Sequence, residues 1–321
     1  MTASVPGGRS RFSGMGAEGP AVVARAPAKV NVHLAVGPLR PDGFHELQTV
    51  YLAVSLLDTV TVRPGEGLSL TVSGEGSDGA VPADRRNLVW RAAELLARHA
   101  GVPADAELTI AKAIPAAAGL AGGSADAAAA LVALDALWGT RATRADLAEL
   151  AAELGSDVPF SLLGGVALGA GRGEQLSPVL ARRPWHWVLG IAGEGLSTPA
   201  VYGELDRLRA IGRLPDGTEL APPEPVIGAL RSGPPAALAA ALTNDLQAPA
   251  LSLRPELRRA LRAATEAGAA AALVSGSGPT IAALAEDEEA AVRLAAVLAG
   301  EGLFRTVRAV QGPVPGARLV G

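Results

Sequence analysis

Pro115-Ala-Ala-Ala-Gly-Leu-Ala-Gly-Gly-Ser-Ala125 is the stretch on which the reading of this 321-residue chain turns. Before it, Leu108 to Ile114 alternates apolar and polar residues as a strand does. After it, Asp126 to Leu137 is rich in alanine and is closed by Gly139, as a helix is. In a strand, glycine loop, helix arrangement the backbone can approach an anion closely, and the free amides and dipole of the helix start attract it. No Gly-Lys-Ser/Thr follows, so the loop is not of the Walker type. On spacing alone a plain tight turn stays open, with Ser124 either an N-cap or a ligand of phosphate or magnesium.

Working outward, Lys29 lies in Ala26-Pro-Ala-Lys-Val-Asn31, a strand of small and branched residues where an unpaired charge is costly to bury. It reads equally as a strand-end lysine with its head in water. Of the 28 basic residues only Lys29 and Lys112 are lysines, so each merits attention; Lys112, without special neighbours in its strand, is expected to be solvated. Asp157, in Gly155-Ser-Asp-Val-Pro-Phe160, is either a helix cap before a proline-started turn or a general base near a transferred phosphoryl group. Phosphoryl transfer requires little more than such a base, a cation and an amide cradle. Two Gly-x-Gly-x-x-Gly runs, at Gly14, Gly16, Gly19 and at Gly74, Gly76, Gly79, lack the strand and helix that a dinucleotide site needs.

Composition bounds the rest. The hydrophobic share is 49%, but only 3% is aromatic and much of the remainder is alanine, which suits helices rather than a bilayer. The absence of cysteine excludes disulfides and thiolate sites and agrees with a cytoplasmic chain. A net charge of -4 with scattered arginines gives no footprint for nucleic acid, and no segment reads as a membrane span. Residues 1–20 read as a disordered tail. Short strands are expected over 21–62, then mixed strands and helices to a boundary at 183/184. Beyond it come helices at 198–210, 235–242, 256–267 and 286–299, a loop at 214–225, and strands at 185–191, 271–274, 280–284 and 306–309. That pattern makes an α+β protein of two domains, 21–183 and 184–321.

The segments around Lys29, residues 115–125 and Asp157, together with Val274-Ser-Gly-Ser-Gly-Pro-Thr280, resemble the GHMP small-molecule kinases over about residues 21–310. Arg40-Pro-Asp-Gly-Phe-His-Glu-Leu-Gln-Thr49 is similar to a branch whose substrate carries a cytidine diphosphate group, in isoprenoid synthesis by the non-mevalonate route. The resemblance implies the GHMP kinase fold: an N-terminal domain like domain 2 of ribosomal protein S5, a ferredoxin-like C-terminal domain, and the site in the cleft between them.

It implies ATP with Mg²⁺, held by Pro115, Ala116, Ala117, Ala118, Gly119, Leu120, Ala121, Gly122, Gly123, Ser124 and Ala125, with Ser124 a candidate magnesium ligand. It makes Asp157 the base, Lys29 its electrostatic partner and Asn31 a substrate-binding group that helps orient the substrate. His45 would read the base edge, Phe44 and Tyr202 would stack on it, and Thr198 would line the cytidine side. A mevalonate, homoserine or sugar kinase, or a ligand sensor on the same fold, is the alternative. The loop departs from the family's usual Gly-Leu-Gly-Gly-Gly-Ser-Ser at Ala121 and Ala125, and Ala121 is expected to keep ordinary dihedral angles.

Overall fold

Strand β1 (Val22–Leu39) runs antiparallel to β2 (His45–Arg63), and this ribbon organises the molecule. Side chains of a strand alternate between faces. In β1 this sends Ala24, Ala26, Ala28, Val30 and Val32 into the main core and leaves Lys29, Asn31 and His33 for the other face. The sequence suggests short strands here, whereas the two elements span 18 and 19 residues. Register breaks at Pro27/Ala28, Asn31/His33 and Val36/Leu39 interrupt the period and hide their continuity.

The computed structural model describes residues 19–320. The expected tail, apart from Gly19 and Pro20, and the glycines at 14 and 16 lie outside these residues. From β2 the chain continues through β3 (Leu68–Gly74), α1 (Leu88–Ala100), β4 (Ala106–Lys112), α2 (Gly122–Trp138), α3 (Arg144–Leu154), α4 (Val158–Leu163), β5 (Val166–Ala170) and β6 (Gln175–Pro178). Next come β7 (Trp185–Ile191), α5 (Thr198–Ala210), α6 (Glu224–Ser232), α7 (Pro235–Ala241), β8 (Thr243–Asn244), α8 (Gln247–Leu253) and α9 (Leu257–Glu266). Strand β9 (Ala271–Val274), β10 (Ile281–Ala285), α10 (Glu288–Gly300), β11 (Thr306–Gly312) and β12 (Arg318–Leu319) complete it. Helices α6 and α8 are additions to the sequence reading; α6 opens inside the stretch read as a loop.

The larger sheet has the order β12-β1-β2-β4-β3, with β5 and β6 attached beside β2 and β8 beside β1. Helix α2 lies on it and is buried on nearly every side, which is why its sequence is apolar all round rather than amphipathic. Helix α1 starts at Asn87, whose side chain accepts from the Val89 amide, and α3 starts at the Thr143/Asp146 capping box. The second sheet, β11-β7-β10-β9, is antiparallel throughout. Its strands enter in the order fourth, first, third, second, the ferredoxin-like arrangement. Both faces are covered: Trp187 and Leu189 join the main core, while Val188 packs with Ile281, Leu257 and Leu294 under α9 and α10. No helix among the described residues is long and apolar enough to cross a membrane.

Candidate active site

The alternation of β1 places Lys29 and Asn31 side by side on the face away from the main core. The Lys29 ammonium donates to Asn31 Oδ1 at 2.5 Å, and Asn31 Nδ2 donates to Thr49 Oγ1 at 2.8 Å. Thr49 in turn donates to the His33 carbonyl at 2.7 Å, so the row is fixed across the β1/β2 ribbon. Register sets Tyr51 of β2 directly opposite Asn31.

Asp157 arrives from another direction, in the turn between α3 and α4. One of its oxygens, Oδ2, lies 3.7 Å from the Lys29 ammonium, and the other, Oδ1, accepts from the Tyr51 hydroxyl at 3.2 Å. The Asp157 side chain caps nothing, although the residue stands at the start of α4. Its side chain is 29% exposed against 8% for Lys29, so the carboxylate faces a cleft and the ammonium lies behind it. Burial, and then the charge of Asp157, push the Tyr51 phenol well above its ordinary range. Tyr51 therefore stays a donor, and its ring stacks on Phe160 at 4.8 Å. Tyr51 escaped the sequence reading; its signal was its rarity, as one of two tyrosines in the chain.

The cleft has a volume of about 680 Å³. At one end its wall is Pro115, Ala117 to Gly119 and Ala121 to Gly123, backed by Gly276 and Ser277 of the third glycine stretch. A methyl group on Gly119 would stand 2.3 Å from the Ser275 carbonyl oxygen, so only glycine allows the two loops to meet backbone to backbone. The Ser275 hydroxyl donates to the Gly119 carbonyl at 3.2 Å, and the Lys29 amide donates to the Leu120 carbonyl at 3.2 Å. Ala116, Leu120, Ser124 and Ala125 are not on this wall; Leu120 and Ala125 are buried in the core, and Ser124 sits in the first turn of α2.

Two expectations fail at this loop. Ala121, the residue that opens α2, has φ 58 and ψ 34, in the left-handed region rather than the ordinary ones. The turn from the loop into α2 demands that conformation, and a methyl group there costs about 1–2 kcal/mol.

Lys112 is not solvated. Its side chain is 2% exposed, and its ammonium donates to Asp58 Oδ2 and Asp126 Oδ2, both at 2.6 Å. Asp58 Oδ1 also accepts from the amides of Ala113 at 2.6 Å and Ile114 at 2.8 Å. This triad ties the end of β4 and the start of α2 to β2, clamping the loop at both ends. Burial opposes the Lys112 charge, but the carboxylates of Asp126 and Asp58 outweigh it and raise its pKa. Burial and the charge of Asp58 push the Asp126 carboxyl well up.

The other end of the cleft is aromatic. His45 Nε2 lies 2.9 Å from Asp206 Oδ1, and the His45 ring is 5.0 Å from that of Tyr202. Tyr202 and Asp206 stand one turn apart on α5, whose first residue, Thr198, shares a hydrogen bond of 2.9 Å with the Ser277 hydroxyl. Burial, followed by the charge of Asp157, also holds the Tyr202 phenol above its ordinary range. Phe44 is half exposed at the rim. All the sequence-derived residues outside the loop, namely Lys29, Asn31, Phe44, His45, Asp157, Thr198 and Tyr202, line this one cleft.

A glycine-rich loop, a lysine–carboxylate pair and an aromatic end lie along this one cleft, an arrangement suited to a small-molecule kinase. Residues 87–165 match the family described as GHMP kinases N terminal domain, and residues 226–302 match GHMP kinases C terminal. As in other GHMP kinases, ATP is the phosphate donor.

The chain is 59% identical over 301 residues to the 4-diphosphocytidyl-2-C-methyl-D-erythritol kinase of Mycolicibacterium smegmatis, covering 93% of this chain and 92% of that one. It is 59% identical over 299 residues to the kinase of the same name from Rhodococcus jostii, covering 93% and 95%. A crystal structure of 4-(cytidine 5'-diphospho)-2C-methyl-D-erythritol kinase superposes with a TM-score of 0.72 at 36% identity, over 93% of this chain and 99% of that one. The chain belongs to the 4-diphosphocytidyl-2-C-methyl-D-erythritol kinase family of GHMP kinases.

Proposed function

We propose that the protein transfers the γ-phosphoryl group of ATP to the 2-hydroxyl of 4-diphosphocytidyl-2-C-methyl-D-erythritol, giving the 2-phosphate and ADP in the non-mevalonate route to isoprenoid precursors. The observation that carries this reading is the position of the Lys29–Asp157 pair, on the wall of one cleft with the amide loop at one end and the His45–Tyr202 pair at the other. Asp157 takes the proton of the substrate hydroxyl as that oxygen bonds to phosphorus, and the bond from phosphorus to the β-phosphate oxygen breaks to release ADP. Lys29, 3.7 Å from the Asp157 carboxylate, is its electrostatic partner and offsets charge on the transferred group. Tyr51 and Asn31 hold these two side chains in place.

Amides of the loop and the first turn of α2 bind the ATP phosphates. Ser124, in the first turn of α2 just behind the cleft wall, is the candidate magnesium ligand, and magnesium bound with the nucleotide would neutralise phosphate charge. At the aromatic end Phe44 and Tyr202 stack on the cytosine. His45, held through Nε2 by Asp206, reads the polar edge of the base with its other ring nitrogen. Thr198, bonded to Ser277, lines the same side.

Two domains, 21–183 and 184–321, form part of this reading. The second sheet, which starts at Trp185, supports that division, while β8 and β12 return to the larger sheet. Small molecules are the partners and the cytoplasm the setting.

The test is ADP release by the purified protein with ATP, with and without the cytidine substrate. Release should depend on that substrate; equal release with mevalonate or homoserine would defeat the assignment.

A further inference from the structure

Lys29 and Arg172 are the two basic residues on the cleft wall among the described residues. Lys29 is committed to Asp157 and Asn31. Arg40, nearby, is paired with Asp42 at 2.8 Å and Glu46 at 3.0 Å. Arg172 is differently placed. Its Nε faces Glu174 at 3.6 Å, beyond hydrogen-bond length, and no hydrogen bond from its terminal nitrogens to protein is found among the described residues. A guanidinium in that state keeps a two-pronged donor edge for a ligand.

The turn that carries it is held on both sides. The Gly171 carbonyl accepts from the Leu47 amide at 2.7 Å, the Gly171 amide donates to Glu46 at 3.2 Å, and the Arg172 amide donates to Glu174 at 2.7 Å. Gly173 has φ 100, and a methyl group there would stand 2.2 Å from the Tyr51 hydroxyl oxygen, the atom that donates to Asp157. The backbone next to Arg172 thus touches the reaction centre, while its guanidinium lies 5.0 Å from the centre of the Phe44 ring, at the aromatic end. The side chain spans the interval between the two.

In the proposed substrate the diphosphate joins the polyol that carries the reacting hydroxyl to the cytidine. We propose that Arg172 binds this diphosphate, and so makes the enzyme select a nucleoside diphosphate conjugate over a bare polyol or nucleoside. The inference rests on the substrate reading given above. Arg172 also covers one face of Phe44 by a cation–π contact, leaving the other for a base.

The experiment uses the full-length enzyme and Arg172→Ala and Arg172→Lys, with CDP and cytidine as competitors of the cytidine substrate. Loss of a charge-assisted contact should raise the KM of that substrate and the inhibition constant of CDP together, by about tenfold or more. The constant for cytidine and the KM for ATP should hardly move, and lysine should recover part of the loss. Equal weakening of CDP and cytidine would show that Arg172 acts only through Phe44, and no weakening of CDP would remove it from the site; either overturns the inference. Failure of CDP to compete even in the unsubstituted enzyme would overturn the substrate reading, and this one with it.

Discussion

The Tyr51 hydroxyl donates to Oδ1 of Asp157 across 3.2 Å, from a ring locked against Phe160. Because Lys29 faces the other carboxylate oxygen, Tyr51 is what stops the Asp157 side chain from swinging about its ion pair. Tyr51→Phe keeps the stack and removes only the donor. Its kcat should fall by about an order of magnitude, the cost of a hydrogen bond to a charged group, with the melting temperature nearly unchanged. An unaltered kcat would assign Tyr51 to packing alone.

Ala121→Gly relieves the left-handed alanine that opens α2. The gain in native backbone freedom is about 1–2 kcal/mol and the added unfolded-state entropy takes back about 0.4–1, so a net stabilisation of about 1 kcal/mol is expected in urea unfolding. The same substitution elsewhere in α2, at a residue such as Ala129, should destabilise instead.

The buried triad gives a pair of contrasting variants. Lys112→Met leaves Asp58 and Asp126 facing each other without their cation, and should cost about 3–5 kcal/mol of stability. Asp126→Asn keeps one ion pair and should cost less. The Asp126 carboxyl titrates above its ordinary 3.8 in the folded protein, so its contribution is most favourable below that value and declines as pH rises through the raised one. Asparagine has no such decline. The stability deficit of Asp126→Asn should therefore shrink as pH rises from about 4, as followed by denaturant unfolding across pH.

At the aromatic end His45→Ala should raise the KM for the cytidine substrate by about tenfold, while the KM for ATP, bound at the other end, stays put. A matching change in both constants would mean that the whole cleft had shifted.

The glycine loop, Lys29, Asp157 and Phe44-His45 stood out as short runs of chemistry-bearing residues, but residue types alone left the loop, Lys29 and Asp157 with a plain structural reading as well, and the family resemblance supplied their roles. Tyr51 was not, since it enters the site through cross-strand register with Asn31, a relation that no local window contains. Lys112 carried a signal that was misread: the alternation of β4 sets it on the same buried face as Leu108 and Ile110, and the scarcity of lysine pointed the same way. What the sequence left out were its two counter-charges, from β2 and α2. The long first strands were obscured by bulges, and α6 by the prolines at its start.

Asp157 as the proton acceptor is the centre of the account, and Asp157→Asn tests it most directly, by kcat for ADP formation with the cytidine substrate alongside calorimetric ATP binding. A fall in kcat of about 10²- to 10⁴-fold with ATP affinity retained is the expected result. Turnover within a fewfold of the unsubstituted enzyme would contradict it.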